Sequence, residues 1–441
     1  MFRASTSRNQ TGFLPASATS AFLAWRPTLV RPMRILCGLS DAPTAVAGRF
    51  LACQPAVAPW MLEGVLRLAA SWMGLVACGF SPSVVDHGPD GNTPGGLAND
   101  ASGSGSSAYR SHRIDVAAAK VSGGPHASFP VLVSLTASWL RGTAAGGEIA
   151  SAAGYDIYFS SDLAGSVRLA HEIERYRSDT GELVAWVKLP MLSTTTTFYL
   201  QDGDPTITTS QENKASVWSA GYAAVWHLSD LADSTTQNPG TNNGASDASG
   251  KIANARAFDG AGNVVSAGTS ASVDDAFAAG GTAEAWFSAT GWGGSGLGRI
   301  FDKGTGSTLA IGMCNANVAG AFLFGHSFST GAGNWCTPSG SLALNAWTHV
   351  AVVYDSSSSA NLPIIYVNGT AMALGTISTP SGSPRSEAGA ALTLGDRAAA
   401  GRAFAGIIDE ARLSRVVRSA GWIATSYEDQ RDPASFCIVT P

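Results

Sequence analysis

From residue 109 onward the chain is a succession of short alternating runs separated by turn residues, and this pattern limits its possible folds more than any other feature. HRIDVAA, FPVLVSLT, YDIYFSS, LAHEIERY, LVAWVKL and TTFYLQD are bounded by Gly, Ser, Asp or Pro. Successive side chains of a strand point to opposite faces, so runs of this length and alternation read as antiparallel strands of a sandwich. The same grammar resumes in TAEAWFSA, GRIFDKG, LAIGM, WTHVAVVYD, PIIYVNGTAMAL, LTLGD and FAGIIDEARLS. The expectation is an all-β chain of two consecutive antiparallel β-sandwiches. Asn-Gly in YVNGT supplies a tight hairpin, and Trp286 and Trp347 are large enough to anchor the space between two sheets. RSAGWIATSYEDQ has helical spacing from Trp422 through Ile423 to Tyr427 and predicts a short helix packed on the sandwich.

Composition supports this reading. Of 441 residues, 45% are hydrophobic and only 13% charged, so the polar surface must come largely from Ser, Thr, Asn and the 51 glycines. That is the profile of a loop-rich β protein working outside the cytosol. The net charge of -5, with no basic run or aromatic–basic patch after residue 100, argues against a nucleic-acid partner.

The N-terminal quarter reads as export signals. An apolar run from Leu68 to Ala77 is too short to span a bilayer but suits a signal-peptide core. It ends in Leu75-Val76-Ala77-Cys78, which resembles a bacterial lipobox and implies lipidation of Cys78, with a buried core segment as the bland alternative. Residues 1–60 are a leader or mis-called start, 61–78 the lipoprotein signal, and 79–108 a flexible linker rich in Gly, Ser and Pro. Membrane association is then by lipid anchor only, and Gly79 after the cysteine favours the outer membrane or cell surface. Of the remaining cysteines, Cys37 and Cys53 lie in the leader and Cys437 near the C-terminus. Cys314 and Cys336 are left as a candidate disulfide across neighbouring strands, or as two buried thiols.

Residues 109–223, with an arginine-bearing first strand, FPVLV, D-I-x-F, E-I-E, TGE, V-W-V-K and SAGYAAVWHL, resemble the bacterial domain-of-unknown-function family numbered 2341. Residues 224–430 resemble the LamG-like, concanavalin A-like jelly roll, through F-D-G (Phe258 to Gly260), E-A-W-F (Glu284 to Phe287), W-T-H-V-A (Trp347 to Ala351), Y-V-N-G (Tyr366 to Gly369) and G-x-I-D-E-x-R. Residues 431–441 are left as a C-terminal tail. The jelly-roll resemblance implies a calcium ion at the rim, with Asp233, Asn238, Asn242 and Asp409 as ligands of the oxygen type a hard cation requires. An ordinary Asx-rich turn is the alternative for the 233–244 loop.

Two acidic pairs invite a catalytic reading. Glu172 and Glu174 in HEIER share a strand face, but HEIER lacks the second histidine of a zinc H-E-x-x-H site, and E-x-D-x-x-E spacing is absent, so a paired or solvated face is expected. For Asp409 and Glu410, strand parity places Asp409 on the face of Ala411 and Leu413, paired with Arg256 or Arg412, and turns Glu410 outward. His349, on the face of Trp347, reads as a satisfied core histidine. Trp292 in GWGGSG and Trp335 in GNWC sit in loop-like contexts and are the candidate sugar-binding aromatics. No G-x-S-x-G or zinc-ligand spacing occurs, so no catalytic residue is expected. The reading is a non-catalytic cell-envelope lipoprotein whose jelly roll binds carbohydrate or an extracellular or envelope protein. The alternatives are a structural or adhesive spacer and a secreted glycan-active enzyme.

Overall fold

The computed structural model describes residues 110–304 and 306–440. The leader, the signal-like segment with Cys78 and the linker lie outside them. The first sandwich is built from β1 (Arg110–Val116), β2 (His126–Thr136), β3 (Tyr158–Ser160), β4 (Arg168–Leu169), β5 (His171–Arg177), β6 (Glu182–Leu192) and β7 (Thr197–Asp202), followed by the one-turn helix α1 (Lys214–Val217). The second comprises β8 (Tyr222–Trp226), β9 (Thr241–Asn243), β10 (Ser246–Ser249), β11 (Asn254–Asp259), β12 (Val264–Ser266), β13 (Gly281–Gly291), β14 (Arg299–Lys303), β15 (Leu309–Met313), β16 (Phe322–Ser327), β17 (Ala332–Cys336), β18 (Trp347–Tyr354), β19 (Ile364–Val367), β20 (Thr370–Ala371), β21 (Gly375–Ser378), β22 (Leu392–Leu394) and β23 (Ala405–Ser414). Then come α2 (Ala420–Arg431), α3 (Pro433–Phe436) and β24 (Cys437–Thr440).

In the first sandwich a five-stranded sheet, β24-β1-β7-β3-β4, covers a three-stranded one, β2-β6-β5. Alternation in β6 divides its side chains. Leu183, Ala185, Val187 and Leu189 enter the core between these sheets, while Val184 and Trp186 face the other way, toward Trp218, Tyr222 and Val225. The second sandwich stacks β10-β11-β23-β13-β18-β19-β20, with β8 beside β23, on β21-β17-β16-β15-β14-β22-β12-β9. Asn368 and Gly369 both take positive φ, 48° and 74°, which makes the expected two-residue hairpin between β19 and β20. A disulfide joins Cys314 to Cys336.

Two expectations change. The tryptophans between the two large sheets are Trp226 and Trp335, not Trp286 and Trp347. Trp286 is buried on the outer face of β13, where its Nε1 donates to Gln430 Oε1 of α2 at 2.9 Å, and Trp347 is half-buried at the start of β18. Both faces of that sheet are covered, so a large aromatic has two interiors to choose from. Finally, the supposed tail is structured: β24 pairs with β1, Val116 opposite Cys437 and Arg113 opposite Thr440, and Phe436 enters the first core. The first sandwich is thus assembled from both ends of the described chain.

Candidate functional site

The junction between the two sandwiches contains a cluster of charged side chains, and ordinary strand alternation explains how most of them arrive. Glu172 and Glu174 flank Ile173, which packs toward the first core, and the pairing of β5 with β6 slips by one residue at Glu174, between Ile173 and Arg175. His227 follows Trp226 at the end of β8, so while Trp226 fills the jelly-roll interior its neighbour points out to the junction. Glu410 and Arg412 come from β23, and Ser229 and Ser234 from the loop after β8.

Glu410 arrives by a bulge. Glu284 of β13 faces Arg412 and Trp286 faces Asp409, so Ala285 alone opposes Glu410 and Ala411, and Glu410 takes φ 51°. The inserted residue resets the alternation. Ile408, Ala411 and Leu413 face the sandwich interior, whereas Asp409 shares the outer face of its cross-strand partner Trp286. Parity had put Asp409 with Ala411 and Leu413 and had exposed Glu410. In fact Asp409 is 0% and Glu410 1% exposed, both under the first sandwich.

His227 is the hub. Its Nδ1 lies 2.8 Å from Glu410 Oε1 and 3.6 Å from Glu174 Oε2, and its Nε2 lies 3.3 Å from Glu172 Oε2. Glu172 also accepts from Trp218 Nε1 at 2.7 Å and Ser234 Oγ at 2.8 Å, with Lys214 Nζ 3.4 Å away. Glu174 accepts from Ser229 Oγ at 2.6 Å and Trp186 Nε1 at 3.1 Å. Arg412 pairs with Glu410 Oε2 at 2.5 Å and lies over the ring of Trp186, 4.2 Å from its centroid.

Burial works against a charge on His227, but Glu410, Glu172 and Glu174 outweigh it and raise the imidazole well above its ordinary range. Burial would also raise Glu172, yet the His227 charge and the bonds from His227 and Trp218 hold it at about 2. Glu410 is likewise held low against its burial, by His227 and Arg412. For Glu174, burial and the Glu410 charge win, and its carboxyl is pushed up to about 7. Asp409 is raised well above its ordinary value, first by burial and then by Glu410. The cluster therefore carries paired charges on His227, Arg412, Glu172 and Glu410, beside two carboxyls that burial keeps protonated more readily. Of the cluster, Glu172, Glu174 and His227 line an open cleft of about 310 Å³ between the sandwiches, together with Lys214, Ser229, Asp230 and Thr236.

The residues expected to share a calcium ion are engaged separately. Asp233 accepts from the N–H groups of Val225, Thr235, Gln237 and Asn238 and so closes its own loop. Asn238 is tied to Asp233 and to Ser272, and Asn242 closes a turn with Ala245. Asp409 accepts from Ile252 N at 2.9 Å rather than from either expected arginine. Of the two candidate aromatics, Trp335 is 1% exposed in the jelly-roll core, stacked on Phe324, and offers a ligand no face. Trp292 is half-buried against the same core. Neither lines the junction cleft. His227 and Lys214 escaped sequence reasoning, and Arg412, expected at Asp409, pairs with Glu410 instead. The one available signal was the alternation in Val225-Trp226-His227, which turns the histidine out of whichever interior takes the tryptophan.

No curated protein sequence matches the chain. Among solved structures, it is similar to domain 4 of AbnA, a GH43 extracellular arabinanase from Geobacillus stearothermophilus, in complex with arabinotriose: 19% identity and a TM-score of 0.35, covering 47% of this chain and 98% of that one. It is also similar to the binding domain of botulinum neurotoxin serotype D, at 10% identity and a TM-score of 0.37, and to that of Paraclostridial Mosquitocidal Protein 1, at 9% and 0.36. The chain spans about half the length of these two toxin domains, 52% in each case. Residues 258–424 match the family model of the Concanavalin A-like lectin/glucanases superfamily, and the second sandwich carries that domain.

Proposed function

We propose that the chain is a non-catalytic binding module of the bacterial cell envelope, and that the junction cleft receives a hydroxyl-rich ligand of the carbohydrate class. The observation that carries this reading is the cleft's lining, in which Lys214, Ser229, Asp230 and Thr236 from two sandwiches present hydrogen-bond donors and acceptors around one opening. Beneath them Glu172 and Glu174 converge on a single imidazole instead of flanking an open gap in which a glycosidic bond could lie, which supports binding over hydrolysis. Export is supported by the Cys314–Cys336 disulfide, a bond rare in reducing compartments. Lipid anchoring through Cys78 belongs to the same proposal, and Cys78→Ser should abolish incorporation of labelled lipid.

A glycan-array screen of the full chain, followed by calorimetry on any hit, tests the binding reading. Lys214→Ala and Asp230→Ala should each weaken the hit about tenfold or more. Absence of any bound glycan, or affinity indifferent to both changes, would sink it. A spacer reading is favoured by a different observation: the oxygens of Glu172, Glu174 and Glu410 already have protein partners, as a permanent joint between sandwiches would need. That reading expects no ligand and a loss of stability, not of affinity, when the cluster is cut.

A further inference from the structure

A second group of side chains, away from the junction, lacks the hydrogen bonds that its burial demands. Arg110 of β1 stands directly opposite Asp202 of β7, so His112, two residues on, reaches Asp202 diagonally on the same face. His112 Nε2 lies 2.9 Å from Asp202 Oδ2. The contact does not meet hydrogen-bond geometry. Both oxygens of Asp202, which is 0% exposed, and both ring nitrogens of His112 are without hydrogen bonds among the described residues. A buried carboxylate whose one close partner is a misaligned imidazole lacks the hydrogen bonds its burial demands, so such a pair has room for a further cation.

The surroundings hold the ring ready. Trp139 stacks on His112, centroids 3.6 Å apart and planes 11° from parallel. The carbonyl of Trp139 accepts from Glu148 N at 2.9 Å, which brings the Glu148 side chain to the same spot. One ligand atom from each of His112, Glu148 and Asp202 lies within 4.8 Å of the others. Donors about 2.0–2.2 Å from a tetrahedral ion stand roughly 3.4 Å apart, so a small closure would complete the set. Glu148 now meets Arg110 Nε at 3.1 Å, and that pair is partly exposed, which gives an ion a route in from solvent.

We propose that His112, Glu148 and Asp202 form a binding site for one divalent transition-metal ion of the zinc class. Two carboxylates balance its charge, and the imidazole selects it over calcium and magnesium, which favour all-oxygen sites. Three protein ligands leave a fourth position for water or an external donor. Glu148 exchanges its contact with Arg110 for the ion.

The test uses untagged full-length chain and zinc chloride alone, with isothermal calorimetry for stoichiometry and cobalt absorption for ligand geometry. One saturable ion per chain is expected, with a tetrahedral cobalt band. Glu148→Gln should weaken binding about tenfold or more and His112→Gln should abolish it. Because Glu148 is partly exposed, its variant keeps the test decisive if His112→Gln or Asp202→Asn fails to fold. Glu174→Gln should leave zinc binding unchanged. No saturable binding by the wild type, or affinity unaffected by Glu148→Gln, overturns the proposal. So does a signal removed by Glu174→Gln, which would put the ion in the junction cluster.

Discussion

At Glu410 the backbone turns left-handed inside a strand, and the two acids that stand side by side in the sequence acquire opposite chemistry. Glu410 is favoured ionised between His227 and Arg412, whereas burial and then the Glu410 charge favour the protonated form of Asp409, which has the Ile252 N–H on one oxygen. Glu410→Ala should therefore leave the buried Arg412 without its carboxylate and His227 with only its longer contacts to Glu172 and Glu174, and cost about 3–5 kcal/mol. Asp409→Asn keeps an acceptor for Ile252 and resembles the protonated form that burial favours, and should cost about 1 kcal/mol or less. Urea unfolding of the two variants checks the order, and a larger loss at Asp409 would contradict it. Glu174 gives a second prediction. Its carboxyl is raised from 4.5 to about 7, so between those values the folded state holds a proton that the unfolded state has released. That contribution is complete below pH 4.5 and is lost as pH rises through 7, on the order of 3 kcal/mol. Glu172 has the opposite sign: its contribution is present above pH 4.5 and disappears as pH falls through about 2. Melting temperatures at pH 4 and pH 8 should show Glu174→Gln gaining on the wild type at the higher pH, and equal differences at both would refute this. Side-chain chemistry of this kind was hidden in the sequence because one inserted residue resets strand parity without any local signature.

Among the elements, α2 shows how a polar side chain fixes a packing arrangement. Ser419 caps its first turn by accepting from Trp422 N at 3.2 Å. At its other end the carboxyl of Asp429 accepts from Leu132 N, on the open edge of β2, at 3.0 Å. A strand edge left unpaired invites association with other chains, and here a helix covers it. Asp429→Ala should leave the buried Leu132 N–H without an acceptor and cost about 1–3 kcal/mol, while Asp429→Asn should recover most of the loss. Denaturant midpoints for the pair decide this, since equal losses would point to packing and not to the bond. The helix itself was legible from its spacing, and so were the alternating strands and the Asn-Gly hairpin, because each has a local period or turn chemistry. Which face Trp286 or Trp335 would take was not. Both faces of the sheet holding Trp286 are buried, and alternation tells two faces apart without saying what lies against either.

Across the whole molecule, the two sandwiches are joined by covalent order and by return. β24 is four residues long, too short to be identified without knowing its partner, and that partner lies at the opposite end of the described chain. Deleting residues 433–440 should strip β1 of its neighbour and remove Phe436 and Cys437 from the first core. Hydrogen exchange should then show protection lost over 110–202 and kept in β13, β18 and β23. Uniform retention would show that the returning strand is dispensable. The same pairing has a mechanical meaning. Arg113 faces Thr440 near the outer ends of the two strands, and the pairing runs inward to Val116 and Cys437. A pull that separates the chain upstream of Arg110 from the chain beyond Thr440 would peel these strands apart rung by rung and open the first core at Val116 and Cys437 before the second sandwich feels the load.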